Sequence, residues 1–234
     1  MAGHKNGGND VNSIMRSMAN NLLVAGCSVS DYSEVKQTYG EYLANKLNLN
    51  YVHRAAGCGS NWRIWRVIFD AVNNKIITPE DLIIVQYTEI TRTEFWSDTI
   101  SYSTLEDPVD TGGVMIRWKL DADKWTPNKS SKPLFKEYLK HVDVNVEWNK
   151  FVQQHTMFQC FMKDRGFKNL YFLIAPKYSF CDVNGDLKVI VEDSYKDNLI
   201  YYENMFEHAT ADGLHMNEIG HHLLGNHLEQ MFLT

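Results

Sequence analysis

Three short stretches of this 234-residue chain hold groups that could do nucleophilic chemistry. The first is Gly26-Cys27-Ser28-Val29-Ser30. A serine just past an apolar strand, at a sharp turn opened by glycine, stands at a sheet edge with its hydroxyl exposed, where a serine nucleophile has to be. Small polar residues also end strands for purely structural reasons. The second is Asp212-Gly213-Leu214-His215, followed by Met216-Asn217-Glu218-Ile219-Gly220-His221. An aspartate three residues before a histidine lets one short turn hold carboxylate and imidazole together. The carboxylate then orients the ring and stabilises its protonated form, so that the ring can take a serine proton. The plainer alternative is an aspartate that starts a helix. The third is Gly57-Cys58-Gly59-Ser60-Asn61. Its backbone N–H groups, just ahead of a helix, could converge on a developing oxyanion. The bland alternative is a glycine turn with an N-cap.

A scaffold must bring these stretches to one edge, and open parallel sheets gather sites where their strands end. Residues 21–26 are an apolar run ending in glycine, which fits a buried parallel strand. Residues 33–47 place Val35, Tyr39, Tyr42, Leu43 and Leu47 on one face of a helix. A second strand follows at 50–55, then a helix at 62–72 with Ile64, Val67, Ile68 and Ala71 on one side. Residues 82–87, continuous and β-branched, are a third strand. Residues 133–164 are helix-compatible, 170–175 form a fourth strand before Pro176, and 217–232 form the last helix. Residues 97–131 break this rhythm with Pro108, Gly112-Gly113 and an alternating run at 114–120, and read as an insertion with a hairpin. Residues 182–194 read as another loop or hairpin. Residues 1–20 read as a flexible arm, which leaves 21–234 as one domain. Alternating strands and helices predict a three-layer α/β/α sandwich with a parallel sheet.

The order of the pieces resembles the SGNH, or GDSL-like, superfamily of serine hydrolases. The family's first block, usually Gly-Asp-Ser, is matched by Gly26-Cys27-Ser28. Its second-block glycine is matched by Gly57, with Gly59 the close alternative. Its last block is matched by Asp212-Gly213-Leu214-His215, with Asn217 and Gly220-His221 behind it. The resemblance spans residues 21–228. It implies a flavodoxin-like sheet of about five parallel strands. It also implies a triad of Ser28, His215 and Asp212, with the Ser28 and Gly57 N–H groups receiving the oxyanion, and neither cofactor nor metal. The third block departs. The family usually supplies an Asn side chain in a Gly-x-Asn-Asp motif, where this chain has Gln86-Tyr87-Thr88-Glu89. Asn61 or the Thr88 hydroxyl is the substitute the sequence offers, and losing one such donor costs about 3 kcal/mol. Residues 87–96 are also similar to the third block of divergent, often virus-encoded members.

The function implied is an esterase acting on a carboxylic ester through an acyl-enzyme. A glycan O-acetyl group is the preferred substrate, with Trp118 and Trp125 of the insertion lining the pocket. Two alternatives stay open: a non-catalytic descendant that binds a glycan or a protein, and an O-acyltransferase using the same triad.

Composition narrows the field. Hydrophobic residues are 44% and charged residues 22%, which excludes a disordered, collagen-like or coiled-coil chain. Lys and Arg number 23 against 29 Asp and Glu, a formal charge of −6, which disfavours a nucleic-acid partner. Trp62, Arg63, Trp65 and Arg66 mix aromatics with positive charge, but their helical period favours core packing plus a solvated face. No run approaches the ~18 apolar residues of a membrane span. Residues 1–19 lack the apolar core of a secretory signal. A cytoplasmic location is therefore expected, with release by lysis or assembly into a virion as other routes. The four cysteines, Cys27, Cys58, Cys160 and Cys181, form no Cys-x-x-Cys pair, so reduced thiols are expected. Cys27 is a rival nucleophile, because thiols are the stronger ones, but alternation points it away from the side where Ser28 points. The C-terminal histidines contain no His-Glu-x-x-His, and the Asp182–Asp186 run lacks the length of a calcium loop.

Overall fold

The computed structural model describes residues 19–31, 35–57, 59–88, 90, 93–96, 113–116, 140–141, 143–174, 195, 198–202, 207–210 and 215–233. Asp212, Cys58, Cys181, the loop at 182–194 and nearly all of the arm and the insertion lie outside the described residues. In chain order the elements are β1 (Asn21–Ala25), α1 (Tyr39–Leu47), β2 (Asn50–His53), α2 (Asn61–Asn73), β3 (Leu82–Gln86), β4 (Thr93–Trp96), β5 (Gly113–Ile116), α3 (Val144–Asp164), β6 (Leu170–Ile174), β7 (Leu199–Tyr201) and α4 (Glu218–Leu233).

Five strands form one sheet in the order β2-β1-β3-β6-β7, every pairing parallel. Counting only its own strands, the order is 2-1-3-4-5, the flavodoxin-like arrangement. Every residue of β3 is buried, as an apolar run with cover on both faces should be. Consecutive residues of β6 show the two faces. The Tyr171 ring packs on Phe232 of α4 at 4.6 Å, and the Phe172 ring packs on His155 of α3 at 5.1 Å. α1 lies against α4, with the Tyr42 and His222 rings 5.0 Å apart. α2 lies against α3, with Phe69 4.6 Å from Phe161 and Trp65 6.2 Å from Phe158. Helices thus cover both faces, and the fold is the expected three-layer α/β/α sandwich.

The amino end of the sheet is fixed by Asp81, a fully buried carboxylate. It accepts from Asn20 N (3.0 Å), Asn21 N (2.9 Å) and Asn21 Nδ2 (2.9 Å), and from Thr78 N (2.8 Å) and Thr78 Oγ1 (3.2 Å). Burial alone would raise its pKa. The donors from Asn21, Thr78 and Asn20 outweigh that and hold it below the usual carboxylate value.

One expectation is corrected, and the fifth strand is located. α1 begins at Tyr39 rather than near residue 33, because Thr38 caps it through a bond from Glu41 N to Thr38 Oγ1 (3.3 Å) and residues 35–37 are bends. Of the alternating run expected at 114–120, the described residues fall in β5, which pairs antiparallel with β4, Phe95 opposite Val114. The fifth strand is Leu199–Tyr201, only three residues, set by its pairing with β6.

Candidate active site

The carboxyl ends of β1 and β3 lie side by side where the path of the chain across the sheet reverses. From β1 the chain passes through α1 to β2 on one side. From β2 it passes through α2 to β3 on the other. Open α/β sheets hold ligands in the crevice at such a point.

Gln86, the last residue of β3, fastens the two strand ends together. Its Oε1 accepts from Cys27 N (3.0 Å), Cys27 Sγ (3.2 Å) and Ser30 Oγ (3.4 Å), and its Nε2 donates to the Tyr87 carbonyl. A Cβ on Gly26 would stand 2.6 Å from Ser30 Oγ and 2.9 Å from Gln86 Oε1, so only glycine lets this clasp close. The turn beyond is closed by Ser30 N and Asp31 N, which both donate to the Cys27 carbonyl (2.9 and 3.1 Å). Cys27 is fully buried, whereas Ser28 is half-buried. The Cys27 thiol is part of the buried core. The Ser28 hydroxyl has no hydrogen-bond partner among the described residues.

The glycine turn is drawn against this loop. Ala56 N donates to the Gly26 carbonyl (3.1 Å) and Gly59 N to the Ala56 carbonyl (3.0 Å). Gly57 N donates to Asp31 Oδ2 (3.0 Å), and Asp31 Oδ1 lies 3.5 Å from His53 Nε2. Ser60 caps α2, accepting from Arg63 N (3.0 Å). Asn61 then reaches β3: Thr88 N donates to Asn61 Oδ1 (2.9 Å) and Asn61 Nδ2 donates to the Thr88 carbonyl (3.0 Å). This pair ties the glycine turn to the end of β3 and commits the Asn61 carboxamide. The Thr88 hydroxyl is left buried with no hydrogen-bond partner among the described residues. In the mixed aromatic and basic stretch, Trp65 and Arg63 are buried and Trp62 is exposed.

His215 stands just ahead of α4 and is half-buried. Its backbone is fixed by Thr210 N donating to the His215 carbonyl (2.8 Å), by the Ala209–Met216 bridge, and by Asn217 N donating to the His208 carbonyl (2.7 Å). Six residues on, His221 meets the first residue of α1: Tyr39 N donates to His221 Nδ1 (3.1 Å), and the two rings stack at 6.0 Å and 12°. The Tyr39 hydroxyl lies 2.7 Å from Ser30 Oγ. These bonds carry the start of α4 to the edge where Ser28 lies. The structure thus gathers Ser28, Gly57, Gly59, Asn61 and Thr88 at one edge and brings the start of α4 to it.

Burial sets the electrostatics. It pulls the His221 pKa down to about 4, helped by the neighbouring His222 and His215, and pushes the Tyr39 hydroxyl well up. His53 is pulled down by burial, against an opposing pull from Asp31. Asp31 and His53 were not singled out by sequence reasoning, and Gln86, Tyr39 and His221 were named there only as parts of a block or a helix face, without these contacts. The only local signal was Asp31, a carboxylate three residues after Ser28. Among the described residues no group of three or more His, Cys, Asp or Glu side chains is placed to hold a metal ion. Among them also no helix is long and apolar enough to cross a membrane.

No protein-family model matches the sequence, and no curated protein matches it. Solved structures do. A lipase, Lip_vut3, from a goat rumen metagenome aligns over 91% of this chain and 97% of its own, at 10% identity and TM-score 0.50. The esterase EstA from a Pseudoalteromonas species aligns over 90% and 95%, at 12% identity and TM-score 0.48. A carbohydrate esterase family 2 enzyme from Corynascus thermopiles (Myceliophthora fergusii), which also carries a carbohydrate-binding domain, aligns over 91% and 65%, at 10% identity and TM-score 0.47. These three solved structures are esterases and a lipase, and what this chain shares with the rumen lipase is the fold.

Proposed function

We propose that this chain is a serine carboxylic-ester hydrolase of the SGNH type, with Ser28 as nucleophile, His215 as base and Asp212 holding the imidazole. One observation carries the reading: two unbonded hydroxyls stand at the adjoining ends of β1 and β3. Ser28 is half-buried, and Thr88 Oγ1 is buried without a partner among the described residues. Buried hydroxyls are nearly always bonded. An unbonded one beside a candidate nucleophile is a donor in search of an acceptor.

In the first step Ser28 Oγ attacks the ester carbonyl carbon while His215 takes its proton. The carbonyl electron pair becomes an oxyanion, which accepts from the Ser28 N–H and the Thr88 hydroxyl. The Gly57 N–H joins them once Asp31 releases it. Collapse breaks the bond to the alcohol oxygen, and His215 returns the proton to the leaving group. Water, activated by the same ring, then resolves the acyl-serine. A sugar hydroxyl in place of that water would make the enzyme an O-acyltransferase. The substrate we favour is an O-acetylated glycan, since Trp118 and Trp125 offer the flat apolar faces that sugar rings take.

The second reading is a non-catalytic binding protein. It is favoured by the engagement of the Gly57 N–H with Asp31 and of the Gly59 N–H with Ala56. A fluorophosphonate probe, read by intact mass and peptide mapping, separates the two. A single adduct on Ser28, absent from Ser28→Ala and from His215→Ala, is expected. No adduct on folded protein would favour the binding protein. An adduct on Cys27 would overturn the choice of nucleophile.

A further inference from the structure

We propose that Ser30, Tyr39 and His221 are positioning residues, forming one buried hydrogen-bonded chain that sets the distance between His215 and Ser28. The proposal rests on the hydrolase reading and names what aligns its parts. Ser28 and His215 are 187 residues apart in sequence, one ahead of α1 and the other ahead of α4. Each lies within six residues of one end of the chain of bonds. Ser30 shares Ser28's turn and is fixed by its N–H to the Cys27 carbonyl (2.9 Å) and its Oγ to Gln86 Oε1 (3.4 Å). His221 lies in the first turns of α4, whose entry is fixed by Gly220 N donating to Asn217 Oδ1 (3.0 Å) and His221 N to the Asn217 carbonyl (3.0 Å). Between them stands Tyr39, with its hydroxyl on Ser30 and its N–H on His221.

The first N–H groups of a helix have no partner within it. Here a side chain of a second helix supplies one, so a shift of α4 along α1 breaks the bond. Packing alone does not ask for an imidazole at this place. All three residues are fully buried, and His221 Nε2 has no hydrogen-bond partner among the described residues, an unfavourable condition in a core. Leucine or phenylalanine would fill the volume without it. What histidine adds is the Nδ1 acceptor, and with it a defined register between the two helices. Reactions of this kind are sensitive to such register, since misplacement by about 1 Å can lower a rate roughly a hundredfold.

The test uses the full chain and the concentration dependence of fluorophosphonate labelling. This gives an inactivation rate constant and an apparent binding constant for wild type, His221→Leu, His221→Asn and Tyr39→Phe. Circular dichroism and a thermal unfolding midpoint report the folded fraction. His221→Leu removes the acceptor, His221→Asn keeps an acceptor oxygen near the place of Nδ1, and Tyr39→Phe cuts the other link with one atom. Expected is a roughly 10- to 100-fold lower inactivation rate constant for the Leu and Phe variants, the binding constant within about twofold of wild type, and substantial rescue by Asn. If His221→Leu does not fold, Tyr39→Phe carries the same comparison. Unchanged rate constants in folded variants, or an Asn variant as slow as the Leu variant, would overturn the positioning role alone. An unlabelled wild type would overturn the hydrolase reading, and the positioning role with it.

Discussion

Thr88 is bonded through its backbone and unbonded through its side chain, and the two states predict opposite responses. Its N–H and carbonyl are held by Asn61, so the peptide stays in place whatever the side chain does. Thr88→Val keeps the shape and removes the orphaned hydroxyl. Exchanging a buried unsatisfied group for a methyl is neutral or stabilising. If Oγ1 receives the oxyanion, the same change should lower kcat about a hundredfold with little effect on KM. Thr88→Ser should keep most of the rate. A Val variant that melts no lower than wild type but hydrolyses as fast would remove Thr88 from the site. At this scale the sequence was legible where chemistry is local. The turn after Gly26 that carries Ser28, and the end of β3 that carries Thr88, could both be placed from neighbours in the chain. The clasp made by Gln86 could not. A glutamine ending a strand reads as a polar terminus, and its partners Cys27 and Ser30 are known only once β1 and β3 are adjacent.

Elements meet closely where side chains are absent or fully bonded. A Cβ on Gly225 would lie 2.5 Å from Cδ1 of the Tyr42 ring, so α4 rests on α1 across a glycine. The same ring's hydroxyl donates to Asn226 Oδ1 at 2.6 Å, which holds it in the way. Gly225→Ala should therefore destabilise the fold by roughly 1–3 kcal/mol, although alanine is the better helix former. Urea unfolding would measure it, and a gain in stability would mean the two helices can part without loss. At the amino end of the sheet, Asp81→Ala removes the shared acceptor of the part-buried donors of Asn20, Asn21 and Thr78 and should cost roughly 1–3 kcal/mol by the same method. The long apolar elements were legible because burial on both faces leaves little choice of residue in β1, β3 and β6. Boundaries that depend on a cap or a partner were less so. Thr38 starts α1 six residues later than periodicity suggests, and β7 is too short to carry a pattern of its own.

The whole molecule should be sensitive to acid through two buried histidines on opposite faces of the sheet. His155 accepts or donates at Nδ1 to the Tyr87 hydroxyl (2.6 Å), and burial pulls its pKa to about 3. His221 is pulled to about 4. An unfolded histidine titrates near 6.5, so between that value and the folded pKa the unfolded chain binds more protons, and stability falls as pH falls. Full stability is expected above about pH 6.5. Near pH 5 each histidine should have withdrawn about 2 kcal/mol, or about 4–8 °C in the unfolding midpoint. His155→Gln should flatten the profile between pH 7 and 5 by its share, and an unaltered slope would place the acid sensitivity elsewhere. The three-layer architecture was legible from alternation alone. The chain of bonds through Ser30, Tyr39 and His221 was not, because a contact between Tyr39 and His221 spans 182 residues and leaves no trace in local pattern.

That span has a consequence for how the protein comes into being. Strands β2, β1 and β3 are near neighbours in the chain and can assemble early. α4 can dock on α1 only after nearly everything between them has been made and placed. Closing so long a loop is slow and entropically unfavourable. On the proposed reading Ser28 and His215 meet only at that last docking, so during synthesis or refolding the chain should pass through a sheet-containing state that the probe does not yet label. In a refolding time course, far-ultraviolet circular dichroism should recover first and Ser28 labelling later. The interval between them would be the lifetime of a chain whose sheet is formed while the proposed site is still in two parts.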